Sequence, residues 1–236
     1  MLELFITHPD RDLGVSEIAR SLSIGRSTAH QILATLVAHG FVDQTERTAR
    51  YRLGVRTIEA GAVAAGYLGL SLTTARVLQA LVEKTGETCS IGAITGSCIT
   101  LLQRVEAASV LRVDLRVGTR LPLHTSAIGR VLMSTMSAEA EARLLDELNL
   151  TPSERRDTME QVAIARSEGC AIVRDIPVNG ISAIAVPIHS PHHTPATGLV
   201  IAGPTFRFEP GDYREAALEA ARSITARSTG RPTAGT

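Results

Sequence analysis

No stretch of this 236-residue chain approaches the roughly 18 uninterrupted apolar residues that a membrane-crossing helix needs. Its first residues meet Glu3, His8, Pro9 and Asp10 too soon to form the apolar part of a secretory signal. These absences point to a cytoplasmic protein without a membrane partner. Cysteine is scarce. Cys89, Cys98 and Cys170 are an odd number without C-x-x-C spacing, which excludes a disulfide framework and a zinc knuckle and reads as buried thiols. Net charge is lacking too: the formal balance at pH 7 is zero. The surface as a whole therefore cannot hold a polyanion, and any nucleic-acid contact has to come from a local patch. Of 24 basic residues only Lys84 is lysine, a bias that follows coding preference. There is no internal repeat.

What is present starts with a 44% hydrophobic content, enough for one large domain or two modest ones. Near the N-terminus Ser16 stands as an N-cap ahead of Glu17, and Ile18, Ala19 and Leu22 predict a short helix ending near Ser23. After the turn Ser23-Ile24-Gly25 a second helix is predicted from Arg26 to His39. Ala29, Ile32, Leu33, Leu36 and Val37 fall on one side of it, and Gly40 is its stop. Phe41-Val42 and Tyr51-Arg52-Leu53 read as two strands around the polar loop Asp43 to Arg50, a wing.

The polar face of the second helix carries the functional signal. Arg26, Ser27, Thr28, His30 and Gln31 gather near its N-terminus, where a helix laid in a major groove about 12 Å wide presents its base-reading side chains. Between positions 20 and 56 six arginines face two carboxylates, a local net charge of +4. Arg47 and Arg50 of the wing are placed for phosphate. Residues 1–54 are thus predicted to be a winged helix-turn-helix for double-stranded operator DNA. The competing reading is a sensor or interaction module that uses the same winged helix for protein contacts, and the basic wing favours DNA.

Residues 55–70, rich in Ala and Gly and free of proline, predict a linker helix. Over 71–227 helices are expected at 72–84, 126–135, 138–148, 159–168 and 212–227. Strands are expected at 87–94, 99–104, 110–115, 171–175, 181–188 and 197–202, making an α/β sensor-like sheet of six strands. The tail 228–236 is polar and expected to be disordered. An enzyme is not expected, and no cofactor is called for. His124 near Ser126 is proximity without an oriented base, there is no G-x-S-x-G elbow, and His189, His192 and His193 lack a supporting acid or cysteine for a metal.

Several of these segments resemble the IclR family of bacterial regulators. They are Ser16-Glu17-Ile18-Ala19-Arg20, the run Ser27 to Leu36, Gly40-Phe41-Val42 and Tyr51-Arg52-Leu53-Gly54, followed by Leu121 to Arg130, Gly180 to Pro187 and Ala202-Gly203-Pro204. The resemblance covers nearly the whole chain. It implies an α+β protein: a winged helix-turn-helix, a linker helix and a GAF-like effector domain, assembled as a homodimer or a dimer of dimers. It also implies a small-molecule effector between the sheet and the helix opening near Ser126, lined by Val113, Leu121, Ala127, Ile128, Val173, Ile181, Ala183, Val200 and Ala202. Val173, Ala183, Val200 and Ala202 are apolar where oxoacid-binding relatives have polar groups, so a partly apolar effector is expected. A carboxylate on it would rest on backbone N–H groups near Ala127 to Gly129, with Arg112, Arg116 or Arg120 nearby. Two departures are the serine at position 23, where the family has a turn glycine, and a short first helix, Leu2 to Thr7, which leaves open a start upstream of Met1. Serine is expected to be tolerated at 23 on a backbone that is not left-handed.

Overall fold

The computed structural model describes residues 1–108, 115–189 and 197–229, in two compact units, Met1–Gly66 and Tyr67–Thr236. In the first unit α1 (Leu2–Thr7), α2 (Val15–Ser21) and α3 (Arg26–Ala38) precede a hairpin of β1 (Val42–Gln44) and β2 (Tyr51–Leu53), and α4 (Arg56–Tyr67) follows. Phe5, Leu13, Ile18, Leu33, Val42 and Tyr51 form its core, each contributing about 1.5–3 kcal/mol by leaving water. Leu13 also bridges to Tyr51, so that the hairpin is extended by the segment before α2.

Three local expectations need correction. The N-cap of α2 is Gly14, not Ser16; Gly14 has no side-chain acceptor, and the Glu17 carboxylate reaches back to its N–H at 3.5 Å instead. The apolar stripe of α3 is narrower than its spacing suggests. Ala29 and Leu33 are buried while Ile32 and Val37 are exposed; α3 packs mainly against α2 and β1, which leave those two side chains uncovered. Finally, Ser23 is left-handed, at φ +53°. Its N–H donates to Arg20 O at 3.1 Å and that of Ile24 to Ala19 O at 3.0 Å, the paired bonds that close a helix through a left-handed residue. Gly40, at φ +72°, closes α3 in the same way, as expected of it.

The second unit holds α5 (Leu72–Thr85), β3 (Thr88–Thr95), β4 (Cys98–Val105), β5 (Arg120–Pro122), α6 (Ala127–Met133), α7 (Ala138–Glu147), α8 (Pro152–Glu168), β6 (Ala171–Arg174), β7 (Ile181–Ile188) and β8 (Thr197–Pro204). A 3-10 turn at Pro210–Tyr213 and α9 (Arg214–Thr229) complete it. The sheet has six strands in the order β5-β4-β3-β8-β7-β6, every neighbouring pair antiparallel. The strand expected at 110–115 lies almost wholly outside the described residues, and the sixth strand is the three-residue β5. Side chains alternate between two cores. Cys89, Ile91, Ile184, Val186, Leu199 and Ile201 pack with α5 and α9, while Ile99, Leu101, Val173, Ala183 and Ala185 pack with α6 and α8. α8 begins at Pro152 rather than Met159 because Thr151 and Glu154 cap each other across its first turn, with proline at the first helical position. Residues 230–236, most of the expected tail, lie outside the described residues, and α9 runs on through Thr229.

Candidate DNA interface and effector cavity

α3 turns Arg26, Ser27, Thr28, His30 and Gln31 outward, all exposed, while Ala29 and Leu33 of the same helix are fully buried. All five predicted side chains on the N-terminal half of α3 are therefore accessible. In the wing the two arginines differ. Arg47 is exposed at the tip. Arg50 is half-buried: its Nε donates to Asp12 O at 2.9 Å and its Nη2 to Glu17 Oε2 at 2.9 Å. Arg11 also pairs with Glu17. Burial would raise the Glu17 carboxyl, but the Gly14 N–H and the two arginines outweigh it and hold it below its ordinary value of 4.5. Arg50 thus ties the base of the wing to the start of α2.

α4 spans the predicted linker and buries no residue; Ile58, Val63 and Tyr67 are 72%, 60% and 72% exposed. Among the described residues no single helix is long and apolar enough to cross a membrane.

In the second unit the residues expected around an effector divide into two sets. Ala127, Ile128, Val173 and Ala183 are buried together, with Leu121, Val200 and Ala202 packed against them. Ile128 sits over Gly92 and Gly198, where a Cβ would come within 3.1 and 3.0 Å of its methyl groups. These glycines let α6 settle onto the sheet, and Ile128 fills the space between. The N-terminus of α6 is closed as well: the Gly129 N–H donates to Ser126 Oγ at 3.2 Å, and a Cβ on Gly129 would overlap Leu123 O. Ser126 is a helix cap, and His124 gives its carbonyl to the buried Arg130. His189 is exposed; His192, His193, Arg112 and Val113 lie outside the described residues. No group of three metal-ligating side chains exists among the described residues.

The open space lies at the end of the same sheet face. A cavity of about 440 Å³ is bounded by Thr88, Leu115, Ile181, Ala202, Pro204 and Phe206, with Glu87, Arg104, Glu106 and Arg207 supplying charge. Ile181 and Ala202 are the expected lining residues that border it. Sequence reasoning missed its charged groups: Glu87 and Arg207 are 120 positions apart and meet only in the folded sheet.

Residues 64–226 match the family described as bacterial transcriptional regulator IclR, C-terminal, and residues 1–46 the IclR helix-turn-helix domain. The chain belongs to the IclR family. This IclR-family chain is 32% identical to the glycerol operon regulatory protein of Streptomyces coelicolor, over 90% of this chain and 86% of that one. An IclR regulator from Alicyclobacillus acidocaldarius has the same fold, with a TM-score of 0.82, 25% identity and coverage of 96% and 95%. So does an IclR homolog from Microbacterium hydrocarbonoxydans complexed with 4-hydroxybenzoate, at a TM-score of 0.82, 20% identity and 98% coverage of both chains. As a family member the chain is a transcriptional regulator rather than an enzyme, with a DNA-binding first domain and an effector-binding second one.

Proposed function

We propose that the chain is a cytoplasmic, operator-binding repressor of a catabolic operon, whose grip on DNA is modulated by a metabolite held in the second unit. The observation that carries the DNA half is the start of α3, where five polar side chains are all exposed while Ala29 and Leu33 are buried. Arg26 and Gln31 read bases, Ser27, Thr28 and His30 position the helix, and Arg47 holds phosphate. Arg50 sets the wing's position beside it. A helix of twelve residues that buries none of them is too short to be stable unsupported, so two α4 helices pair and the operator is roughly palindromic. The regulated operon and the sign of regulation follow from analogy with named relatives such as the glycerol operon regulator. The effector belongs at the open end of the α6 face of the sheet, where the side chains of Ile181 and Ala202 offer a small oxoacid no hydrogen bond.

A gel shift against DNA from the adjoining promoter tests the reading. The wild-type chain shifts it, and Arg26→Ala or Gln31→Ala lowers the discrimination between operator and random DNA by roughly 1–3 kcal/mol. No shift by the wild-type chain, or equal losses on both DNAs, refutes it.

A further inference from the structure

We propose that the cavity at the end of the α6 face binds a monocarboxylate with an apolar ring or short alkyl chain, its carboxylate held by Arg104. This rests on the effector reading above and names the effector's class and its anchor, moving the carboxylate away from the closed N-terminus of α6.

Two cations border the cavity, and their partners decide between them. Arg207 grips Glu87 with both arms of its guanidinium, the second at 3.1 Å, and the Glu87 side chain is only 3% exposed. Drawing Arg207 onto a ligand would strand a buried carboxylate, which is costly. Arg104 is placed differently. Its side chain is 10% exposed, yet its carboxylate neighbour Glu106 is 48% exposed at the rim. Its bonds to Glu106 and to the buried Ser90 hydroxyl are both 3.4 Å, long beside the ordinary 2.9–3.0 Å. A rim carboxylate held at that distance contributes little and is free to swing into water, leaving a planar guanidinium fork that matches an incoming carboxylate.

Position in the sheet supports the same assignment. Ser90 is paired with Arg104 on one side and Val200 on the other, and Thr88, two residues before Ser90, is paired with Ala202, so Arg104 stands on the same sheet face as the floor residue Ala202, one row away. Leu115, Ile181, Ala202 and Pro204 form that floor and its walls, and the Phe206 ring lies 76% exposed at the mouth. The volume of about 440 Å³ lies within the range of small-molecule sites. A second carboxylate on the ligand would face this apolar wall or the acidic Glu87 and Glu106, so small dianions are rejected.

The test is calorimetric titration of the full chain with benzoate, hexanoate, glyoxylate and the neutral benzamide. Benzoate or hexanoate binds more tightly than glyoxylate. Arg104→Gln weakens that carboxylate roughly tenfold or more while leaving benzamide unchanged, and Glu106→Gln, which removes the competing rim carboxylate, tightens it. Failure of both benzoate and hexanoate to bind, unchanged carboxylate affinity in Arg104→Gln, or equal losses of benzoate and benzamide overturns the proposal. A gel shift separates this from the reading it rests on. Operator binding by the wild-type chain alongside any of those failures removes only the Arg104 site, whereas loss of all operator binding removes the regulator reading itself.

Discussion

Replacing Ser23 by glycine should stabilise the first unit, and the structure sets the size of the gain. Ser23 occupies the left-handed position, φ +53°, of the turn between α2 and α3. A side chain there crowds the following carbonyl, at a cost of about 1–2 kcal/mol for an L residue. Ser23 is exposed, and its hydroxyl makes no hydrogen bond among the described residues that a substitution would lose. Glycine removes the crowding but gives back part of the gain as greater freedom of the unfolded chain, of order 0.4–1 kcal/mol. The net expectation is a stabilisation of about 0.5–1 kcal/mol, or roughly 2–8 °C in the melting transition of a unit this small. Gly40 is the internal control, since it closes α3 with the same pair of bonds at φ +72°. Gly40→Ala should lose at least about 1 kcal/mol, because the new Cβ also comes within 3.0 Å of Arg56 Cγ. Thermal unfolding of the full chain followed by circular dichroism, with hydrogen exchange at the Leu22 and Ile24 amides to localise the effect, measures both. A Ser23→Gly variant that is neutral or less stable refutes the reasoning.

The wing arginines should separate in their phenotypes. Arg47→Ala should lower the salt slope of DNA binding by about one without changing stability, whereas Arg50→Ala should cost roughly 0.5–1 kcal/mol of stability by releasing Asp12 O and Glu17; identical behaviour in a salt titration and a urea melt counts against the division. Glu17, held below 4.5 in the folded protein, contributes stability that is present above that value and lost as pH falls through its lower folded value. Glu17→Gln should remove that acid-side loss from hydrogen exchange at the Leu13–Tyr51 bridge, and an unchanged pH profile refutes the role. Burial pushes the Cys89 thiol up to about 12 and raises Cys170 as well, while Cys98 is only half-buried. A thiol reagent at pH 8 should therefore label Cys98 alone until denaturant is added, and rapid native labelling of Cys89 would contradict its burial.

The amphipathic α5 and the long apolar runs of β7 and β8 were readable from the sequence, because eight or more largely apolar positions mark a buried element even where both faces are covered. The polar residues at the start of α3 were readable too. The start of α8 was also written in the chain, in Thr151-Pro152-Ser153-Glu154, a helix-start signal stronger than the Met159 periodicity that displaced it. Other features were not local. β5 has three residues and exists because β4 offers it an edge at Cys98–Thr100. The bond from Arg50 to Glu17 joins residues 33 apart, so a wing arginine and a helix-start glutamate look like two independent surface charges until the hairpin folds back. The effector space shows the same limit. Apolar residues at 127, 128, 173 and 183 could equally line a pocket or fill one, and composition cannot distinguish the two. What decides is that Gly92 and Gly198, on neighbouring strands β3 and β8, lie together under Ile128. With no side chains of their own they let α6 approach, so the middle of the face is closed. The open volume is displaced to the strand ends, where Thr88 pairs with Ala202 and where the charged side chains stand.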